Sequence, residues 1–332
     1  MVASLLELAQ DGDGEAFAQL VAPYRPEVHR YCYRMLGSLT DADDLCQETM
    51  LAAWRAIGTF AGRSSLRTCL YRIATNRCLN AIRDAKRRPP LVPVPPFHPP
   101  RPSRAFEATW LQPYPNAWLD QPADPQANVE AAESIRLAFV AALQRLAPRQ
   151  AAALVLCDVL GFSLEEVAGM LDATQVAGKG LLQRGRAGLV RDPRLSSTGS
   201  LVPSASEADD EVARRFAEAY RADDVDALVA LLTDGTWLAM PPAPHEYCGT
   251  DAIAGFLRAS AAGRAGVRLG LVPARANGQR AFVCFLGDPE GPRSQPAGVV
   301  VLDIAGGRVA GITRFLEPAL VEVFLPTWEP AS

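Results

Sequence analysis

Arginine and asparagine residues recur at helical spacing within the basic stretch at residues 60–88. They are separated by four, four, three and four positions: Arg72, Asn76, Asn80, Arg83 and Arg87. Arginine contacts phosphates and guanine edges, and asparagine reads an adenine edge or a base turned out of its stack. The stretch holds eight Arg or Lys residues against one acid, whereas a merely solvated helix face mixes in acids. The pattern therefore favours a nucleic-acid-binding face over a solvated one.

Two more arginines and two aromatic residues adjoin this face. Arg63 and Arg67 extend the positive charge, and Phe60 and Tyr71 could stack on unpaired bases. Apolar residues at steps of three and four predict that a helix positions the face, with a buried stripe behind it. The stripe consists of Leu66, Leu70, Ile73, Ala74, Cys78, Ala81 and Ile82.

A second helix, predicted over residues 40–58, combines acids with large apolar residues on one side. Its narrow inner face consists of Leu45, Thr49, Ala52 and Ala56. The other side presents Asp43, Asp44, Gln47, Met50, Leu51 and Trp54. Acids around exposed apolar side chains are typical of a docking surface for a basic protein partner. Burial of Trp54 in the core of its own domain explains the periodicity equally well.

Residues 148–190 predict a helix-turn-helix. A helix is followed by a turn at Gly161, and Ser163 with Glu166 forms a capping box for the next helix. A third helix follows, with glycines and leucines facing inward: Gly178, Leu181, Gly185 and Leu189. Its outer face presents Gln175, Lys179, Gln183 and Arg186. Such a third helix is typical of DNA binding, with a plain helical bundle as the alternative.

The charges of this chain are segregated, although its net charge over 332 residues is only -4. Residues 1–48 carry nine acids against three arginines, and residues 195–332 carry seventeen acids against eleven bases. Residues 49–90 carry nine bases against one acid. One basic surface on a neutral-to-acidic body steers the chain toward a polyanion at that surface alone.

Other features of the composition narrow the class of protein. The N-terminus lacks the basic start of a signal peptide, and no run of eighteen apolar residues could span a membrane. Seven scattered cysteines without a C-x-x-C pair predict reduced thiols in a cytoplasmic protein. With only three histidines, the sequence predicts no metal site.

Two breaks divide the chain. Residues 89–126 hold twelve of the 27 prolines, which predicts an extended, semi-rigid connector. Residues 195–206 are rich in serine and predict a flexible linker. The folded pieces are residues 1–88, 127–194 and 207–330.

The stretch DADDLCQETMLAAWRAIGTFAGRSSLRTCLYRIATNRCLNAIR resembles region 2 of bacterial sigma factors of the extracytoplasmic function group, and residues 130–190 resemble their region 4. The resemblance implies that the helix with Asp43–Trp54 recruits core RNA polymerase. It also implies that region 2 melts and reads the minus-ten element of promoter DNA, and that region 4 binds the minus-thirty-five element. Residues 60–88 then correspond to the segment that holds the melted strand, through Arg72, Asn76, Asn80 and Arg83.

The sequence departs from the family's pattern in two places. Cys69 stands where such factors commonly have tryptophan beside the DNA-reading helix. The recognition helix of region 4 carries four glycines: Gly178, Gly180, Gly185 and Gly188. Because each glycine costs about 1 kcal/mol relative to alanine in a helix interior, we expect this helix to be frayed or shortened when alone.

The third piece combines helices with a meander of apolar strands near residues 267–276, 280–286, 297–303 and 308–316. It resembles the SnoaL-like branch of the nuclear transport factor 2-like superfold. The expected fold class is therefore multidomain, with two all-α domains (the region 2 bundle and the region 4 helix-turn-helix) followed by an α+β cone-shaped barrel. Side chains that could line its pocket are Trp237, Met240, Tyr247, Phe256, Phe282, Asp303 and Phe315.

The role of the third piece is predicted as regulation in cis, with a small ligand as a possible effector. Some SnoaL-like proteins are cyclases or isomerases, but Asp303 has no acid–base partner that spacing identifies, and His245 lies in a Pro-rich loop. We therefore predict no catalytic residue and no cofactor. We expect this piece to contact the two sigma regions or the connector, where the anchoring residues are Trp110, Leu111 and Trp118.

Two other functions are compatible with parts of the sequence. One is an enzyme of the SnoaL-like fold that is tethered to DNA-binding modules. The other is a simple helix-turn-helix repressor, which leaves the docking helix and residues 60–88 unexplained.

Overall fold

The computed structural model describes residues 2–62, 64–85, 97–105, 111–119, 134–191, 207–243, 245–288, 290–291 and 294–327. The chain forms two compact units. The helical unit comprises Met1–Pro89 and Phe139–Asp192, and the sheet unit comprises Pro90–Ala138 and Pro193–Ser332. None of the described helices has the length and apolar character that a membrane span requires.

Five helices form the first part of the helical unit: α1 (Val2–Gln10), α2 (Gly14–Val21), α3 (Arg25–Leu36), α4 (Leu39–Ile57) and α5 (Leu66–Ala85). Side-chain caps begin two of them, because the Asp13 carboxylate accepts hydrogen bonds from two amides of α2 and the Ser38 hydroxyl accepts one from α4. Gly37 ends α3 at a φ of 71°, a left-handed conformation that glycine adopts without strain.

Tyrosines close the core between α3 and α5. Tyr31 and Tyr71 are fully buried with their ring centroids 5.4 Å apart. The Tyr31 hydroxyl also makes a 2.8 Å hydrogen bond with the buried Thr75 hydroxyl. The residues of α5 that pack inward are Leu70, Tyr71, Ala74, Thr75 and Cys78. This packing fixes the rotation of α5 and turns its opposite side to solvent.

The inner face of α4 is rotated by about one position from the predicted one. Its buried residues are Leu39, Ala42, Cys46, Thr49, Ala53 and Ile57. Of the residues predicted to face inward, only Thr49 is buried, and Ala56 is exposed. The cause lies outside the local pattern, because the Trp54 ring packs on Phe17 of α2 at a centroid distance of 5.1 Å.

Four further helices follow the connector: α6 (Leu137–Gln144), α7 (Pro148–Leu154), α8 (Leu164–Met170) and α9 (Gln175–Val190). A π-helical turn at Val155–Val159 extends α7. The expected capping box of Ser163 and Glu166 is present at the start of α8, and the Thr174 hydroxyl caps α9. The helix-turn-helix that the sequence predicts is therefore confirmed.

The sheet unit packs helices on a seven-stranded sheet. Its described helices after the connector are α10 (Glu207–Arg221), α11 (Val225–Ala230), α12 (Thr250–Gly263) and α13 (Leu320–Phe324). Its strands are β1 (Arg104–Ala105), β2 (Leu232–Ala239), β3 (His245–Cys248), β4 (Leu269–Ala276), β5 (Gln279–Leu286), β6 (Gln295–Ala305) and β7 (Arg308–Phe315). They lie in the order β1-β3-β2-β7-β6-β5-β4.

The meander β4 to β7 is antiparallel, as expected, and β2 joins it in parallel to β7. One face of the sheet forms the main core with α10, α11 and α12, around residues such as Phe216, Phe256 and Val300. The other face packs Val283 and Phe285 against α13. The expected class of helical domains followed by an α+β domain is confirmed, and the sheet is open.

Described parts of the connector belong to the sheet unit. Strand β1 pairs antiparallel with β3 at the edge of the sheet. Further along, the Tyr114 amide donates to Asn277 Oδ1 at 2.7 Å, and the Asn277 amide donates to the Tyr114 carbonyl at 2.8 Å. Two segments within the proline-rich stretch are thus built into this unit.

Candidate nucleic-acid interface

Four polar side chains project from one side of α5 into solvent. They are the predicted residues Arg72, Asn76, Asn80 and Arg83, all of which are exposed. At 1.5 Å per residue they extend over about 16 Å of the helix. Arg83 Nε lies 3.5 Å from Asp84, but both side chains are more than half exposed and such a pair contributes little. This row, which we call the α5 face, is accessible to a polyanion. Arg63 and Arg87 lie outside the described residues.

Arg67 lies apart from the α5 face in this structure, and its assignment as a DNA-binding residue stays a prediction. Its guanidinium donates to the Leu160 carbonyl at 3.1 Å and lies 3.6 Å from the Glu27 carboxylate. It also lies over the Phe162 ring, 4.3 Å from the centroid. Arg67 therefore makes its contacts inside the helical unit, with α3 and with the turn that precedes α8.

Tyr71 is likewise unavailable for stacking on a base. Its side chain is fully buried, and its hydroxyl donates to Glu27 Oε2 at 3.3 Å. Burial and the neighbouring Glu27 carboxylate raise the pKa of Tyr71 above its ordinary value. The ring closes the core against Phe162 at a centroid distance of 5.1 Å.

The outer face of α9 presents Gln175, Lys179 and Gln183 to solvent, as the sequence predicts. Arg186 is exposed too, but its guanidinium makes a bidentate contact with Asp158 at 2.8 and 2.6 Å. Hydrogen bonding to this carboxylate raises the pKa of Arg186. Val176, which is not among the predicted residues, is 84% exposed in this row. An apolar side chain at the start of a recognition helix suits a thymine methyl group.

The glycines of α9 do not interrupt it where it packs in the helical unit, and the fraying expected of the helix when alone stays a prediction. The helix is continuous over 16 residues, and three glycines lie where α9 packs on its neighbours. A Cβ atom at Gly185 would lie 3.0 Å from the Gln150 carbonyl oxygen, and one at Gly188 would collide with Leu146. One at Gly178 would meet Ala168 at 3.5 Å. These glycines allow the close approach of helices.

The predicted docking side of α4 is partly exposed. Asp43, Asp44 and Gln47 are exposed, and Leu51 is 55% exposed. Met50 and Trp54 are half-buried. The α4 edge, defined by these six residues, therefore combines acids with apolar surface, while one side of the Trp54 ring rests on the core.

Comparison with known proteins identifies the family. Family models match Sigma-70 region 2 at residues 20–88, Sigma-70 region 4 at residues 136–189 and a SnoaL-like domain at residues 213–312. The ECF RNA polymerase sigma factor SigG of Mycobacterium tuberculosis is 42% identical over 314 residues, which cover 93% of this chain and 83% of that protein. The chain belongs to the ECF RNA polymerase sigma factors.

A second relative extends the likeness to the three-dimensional fold. The ECF RNA polymerase sigma factor SigJ of Mycobacterium tuberculosis is 29% identical over 315 residues, covering 89% of each chain. The crystal structure of SigJ matches with a TM-score of 0.60 at 20% identity, over 93% of this chain and all of that one. The protein is thus a promoter-recognition sigma factor with a C-terminal SnoaL-like domain.

The SnoaL-like domain of this sigma factor contains a cavity of about 390 Å³ between the helices and the sheet. Of the seven residues predicted to line a pocket, Met240 and Phe256 do so. Tyr247 and Phe282 belong to the core cluster of the same face. The described lining contains neither a carboxylate nor a histidine, and Tyr220 contributes a phenol to it.

Three residues predicted to line the pocket lie on the other face of the sheet, which corrects the prediction. They are Trp237, Asp303 and Phe315. Strand register places Trp237 and Asp303 on either side of Gly311. Asp303 is 2% exposed and forms an ion pair with Arg136, the residue before α6. Burial raises the pKa of Asp303 although Arg136 opposes the shift.

The predicted connector anchors differ in their burial. Leu111 is 5% exposed, whereas Trp118 is 43% exposed and packs edge-on against Tyr114 at 5.6 Å. Tyr114, which is not among the predicted anchors, is the buried aromatic residue of this segment. Trp110 lies outside the described residues. In the part of the chain that the structure describes, no group of three His, Cys, Asp or Glu side chains is arranged to hold a metal ion.

Proposed function

We propose that this sigma factor holds the melted strand of its promoter on the α5 face. The observation that carries the proposal is the row of four exposed side chains, Arg72, Asn76, Asn80 and Arg83, on a helix whose other side is locked into the core. Arginines neutralise phosphates, and asparagine amides hydrogen bond to the edges of unpaired bases.

The α4 edge is proposed as the contact with core RNA polymerase. Leu51 and the open side of Trp54 supply apolar area, and Asp43 and Asp44 beside them steer a basic partner. The outer face of α9 is proposed to contact the minus-thirty-five element through Gln175, Lys179 and Gln183, with Val176 at its start.

The sheet unit is proposed to regulate the sigma regions in cis through the connector. Strand β1 pairs with β3, and Gln112 donates to Glu317 at 2.8 Å. Tyr114 and Asn277 exchange two hydrogen bonds. Because the connector joins region 2 to region 4, a sheet unit that holds it limits the positions that the two regions reach. Contact between the SnoaL-like domain and the sigma regions themselves stays a prediction.

Transcription in vitro with core polymerase tests the proposed function. Asn76→Ala together with Asn80→Ala should reduce open-complex formation about tenfold or more, since each lost base contact costs about 1–3 kcal/mol. Polymerase binding should not change. Gln19→Ala, which truncates an exposed amide on α2, is the matched control. Normal promoter melting by the double variant would contradict the role of the α5 face.

A further inference from the structure

The cavity of the sheet unit has the size and apolar lining of a ligand site. Its volume of about 390 Å³ falls within the range of small-molecule pockets, roughly 300–1,000 Å³. Met240, Phe256 and Leu269 form its apolar walls. A cavity of this kind takes a ligand with an apolar body.

Two guanidinium groups border this apolar space. Arg314 is 7% exposed, and its Nη atoms donate to the carbonyls of Phe315 and Ala297 at 2.9 and 2.6 Å. Carbonyl groups satisfy the hydrogen bonds of Arg314 but do not neutralise its charge, and no described carboxylate pairs with it. A buried charge without a counterion is costly, and a bound anion removes that cost.

The second guanidinium, that of Arg264, has one N–H group without a hydrogen-bond acceptor among the described residues. Its side chain is about one-tenth exposed, pairs with Asp223 and donates to Ser260 Oγ at 3.0 Å. Its Nε atom is buried and has no hydrogen-bond acceptor among the described residues. The hydrogen bonds of a buried N–H group are rarely left unmade, which indicates that an acceptor belongs at this end of the cavity.

One wall of the cavity comes from the connector. The Phe97 ring packs on Phe256 at a centroid distance of 5.4 Å. Gly263, near the end of α12, allows this approach, since a Cβ atom there would collide with Phe97 Cβ. Whatever occupies the cavity therefore touches the segment that joins region 2 to region 4.

We propose that the cavity binds an apolar carboxylate, with its anionic end at Arg314 and Arg264 and its apolar body between Met240, Phe256 and Phe97. The site belongs to the SnoaL-like domain and is independent of the α5 face. Because Phe97 of the connector forms one wall of the cavity, a bound ligand changes how the connector packs on the sheet unit.

Calorimetric titration of the full chain with sodium decanoate and with decan-1-ol tests the proposal. A charge-assisted hydrogen bond is worth about 1.5–3 kcal/mol, so decanoate should bind about 10- to 100-fold more tightly than the alcohol. Equal affinities would overturn the anionic end of the site. Absence of binding by both probes would overturn the site altogether. Neither result bears on promoter melting, which is measured without the probes.

Three variants locate the binding. Arg314→Met should reduce decanoate affinity at least tenfold and leave decanol unchanged. Because this change is in the core, Ala297→Leu is the second variant, which fills the cavity from a half-buried strand position and should weaken both probes more than tenfold. Phe97→Ala should weaken both several-fold while keeping their ratio. Unchanged binding by folded Ala297→Leu places the probes elsewhere and refutes the proposal.

Discussion

An exposed arginine on a helix is available to DNA only where no other protein group holds its guanidinium. On α5, Arg77 pairs with Glu48 of α4, whereas the one ion pair of Arg83 with a described residue is the weak contact with Asp84. Arg67 is held by Glu27, Leu160 and Phe162. The proposed nucleic-acid surface therefore depends on these contacts as well as on the residue types.

The salt dependence of promoter binding distinguishes these arginines. Arg83→Ala should weaken binding and make the slope of log K against log salt shallower by about 0.7, as expected when one contact to a single-stranded phosphate is lost. Arg77→Ala is the control on the same helix, which should lower the stability of the helical unit without changing the slope. Binding titrations at several salt concentrations measure both. Equal slopes for Arg83→Ala and the unmodified protein would exclude a phosphate contact.

Asp303 should make the stability of the sheet unit depend on pH. Burial raises its pKa in the folded state above 3.8, so the folded chain binds the proton more tightly than the unfolded chain. The contribution of Asp303 is therefore most favourable in acid and declines as the pH rises through the raised pKa. As the pH rises through this range, the Tm of the unmodified protein should therefore fall relative to the Tm of Asp303→Asn. A constant difference would show that Arg136 cancels the effect of burial.

At the scale of the helix, the glycines of α9 have opposite roles. Gly180→Ala should stabilise the helical unit by about 1 kcal/mol, because a Cβ atom there meets only the flexible Arg184 side chain. Gly185→Ala should destabilise it despite the same gain in helix propensity, since the new atom presses on the Gln150 carbonyl and Leu154. Urea unfolding of both variants measures the signs. Stabilisation by both would mean that α9 packs less closely than described.

These glycines show where prediction from sequence ends. The helices, the turn at Gly161 and the strand meander follow from local periodicity and caps, and the structure confirms them. Whether a glycine weakens a helix or lets it approach another depends on residues such as Gln150, which are distant in the chain. The inner face of α4 was misplaced for the same reason, because Phe17 of α2 covers Trp54. The packing of Arg67 against region 4 has no local signature at all.

At the scale of the whole molecule, region 2 and region 4 are in direct contact within the helical unit. The Thr68 hydroxyl donates to Glu166 at 3.0 Å, and the Gln144 amide donates to the carbonyls of Arg34 and Met35 at 3.2 and 3.1 Å. Promoter elements named for positions ten and thirty-five are about 25 base pairs apart, roughly 85 Å of B-form DNA at 3.4 Å per step. The helical unit has to open for both regions to bind both elements.

Weakening this contact should therefore favour the open form. Arg67→Ala removes the guanidinium–ring contact and the hydrogen bond to Leu160, interactions worth about 1–2 kcal/mol together. That energy shifts a closed-to-open equilibrium about 5- to 30-fold.

Energy transfer between dyes attached at the exposed positions Arg55 and Arg184 measures the opening. Without DNA, transfer should be lower in the variant than in the unmodified protein. On promoter DNA with core polymerase, transfer should be low in the variant and in the unmodified protein alike. Arg72→Ala, on the outer side of α5, should not change transfer in the free protein. If the unmodified protein keeps high transfer on the promoter, the two regions do not separate, and region 4 of this sigma factor does not reach the minus-thirty-five element in the way the family resemblance implies.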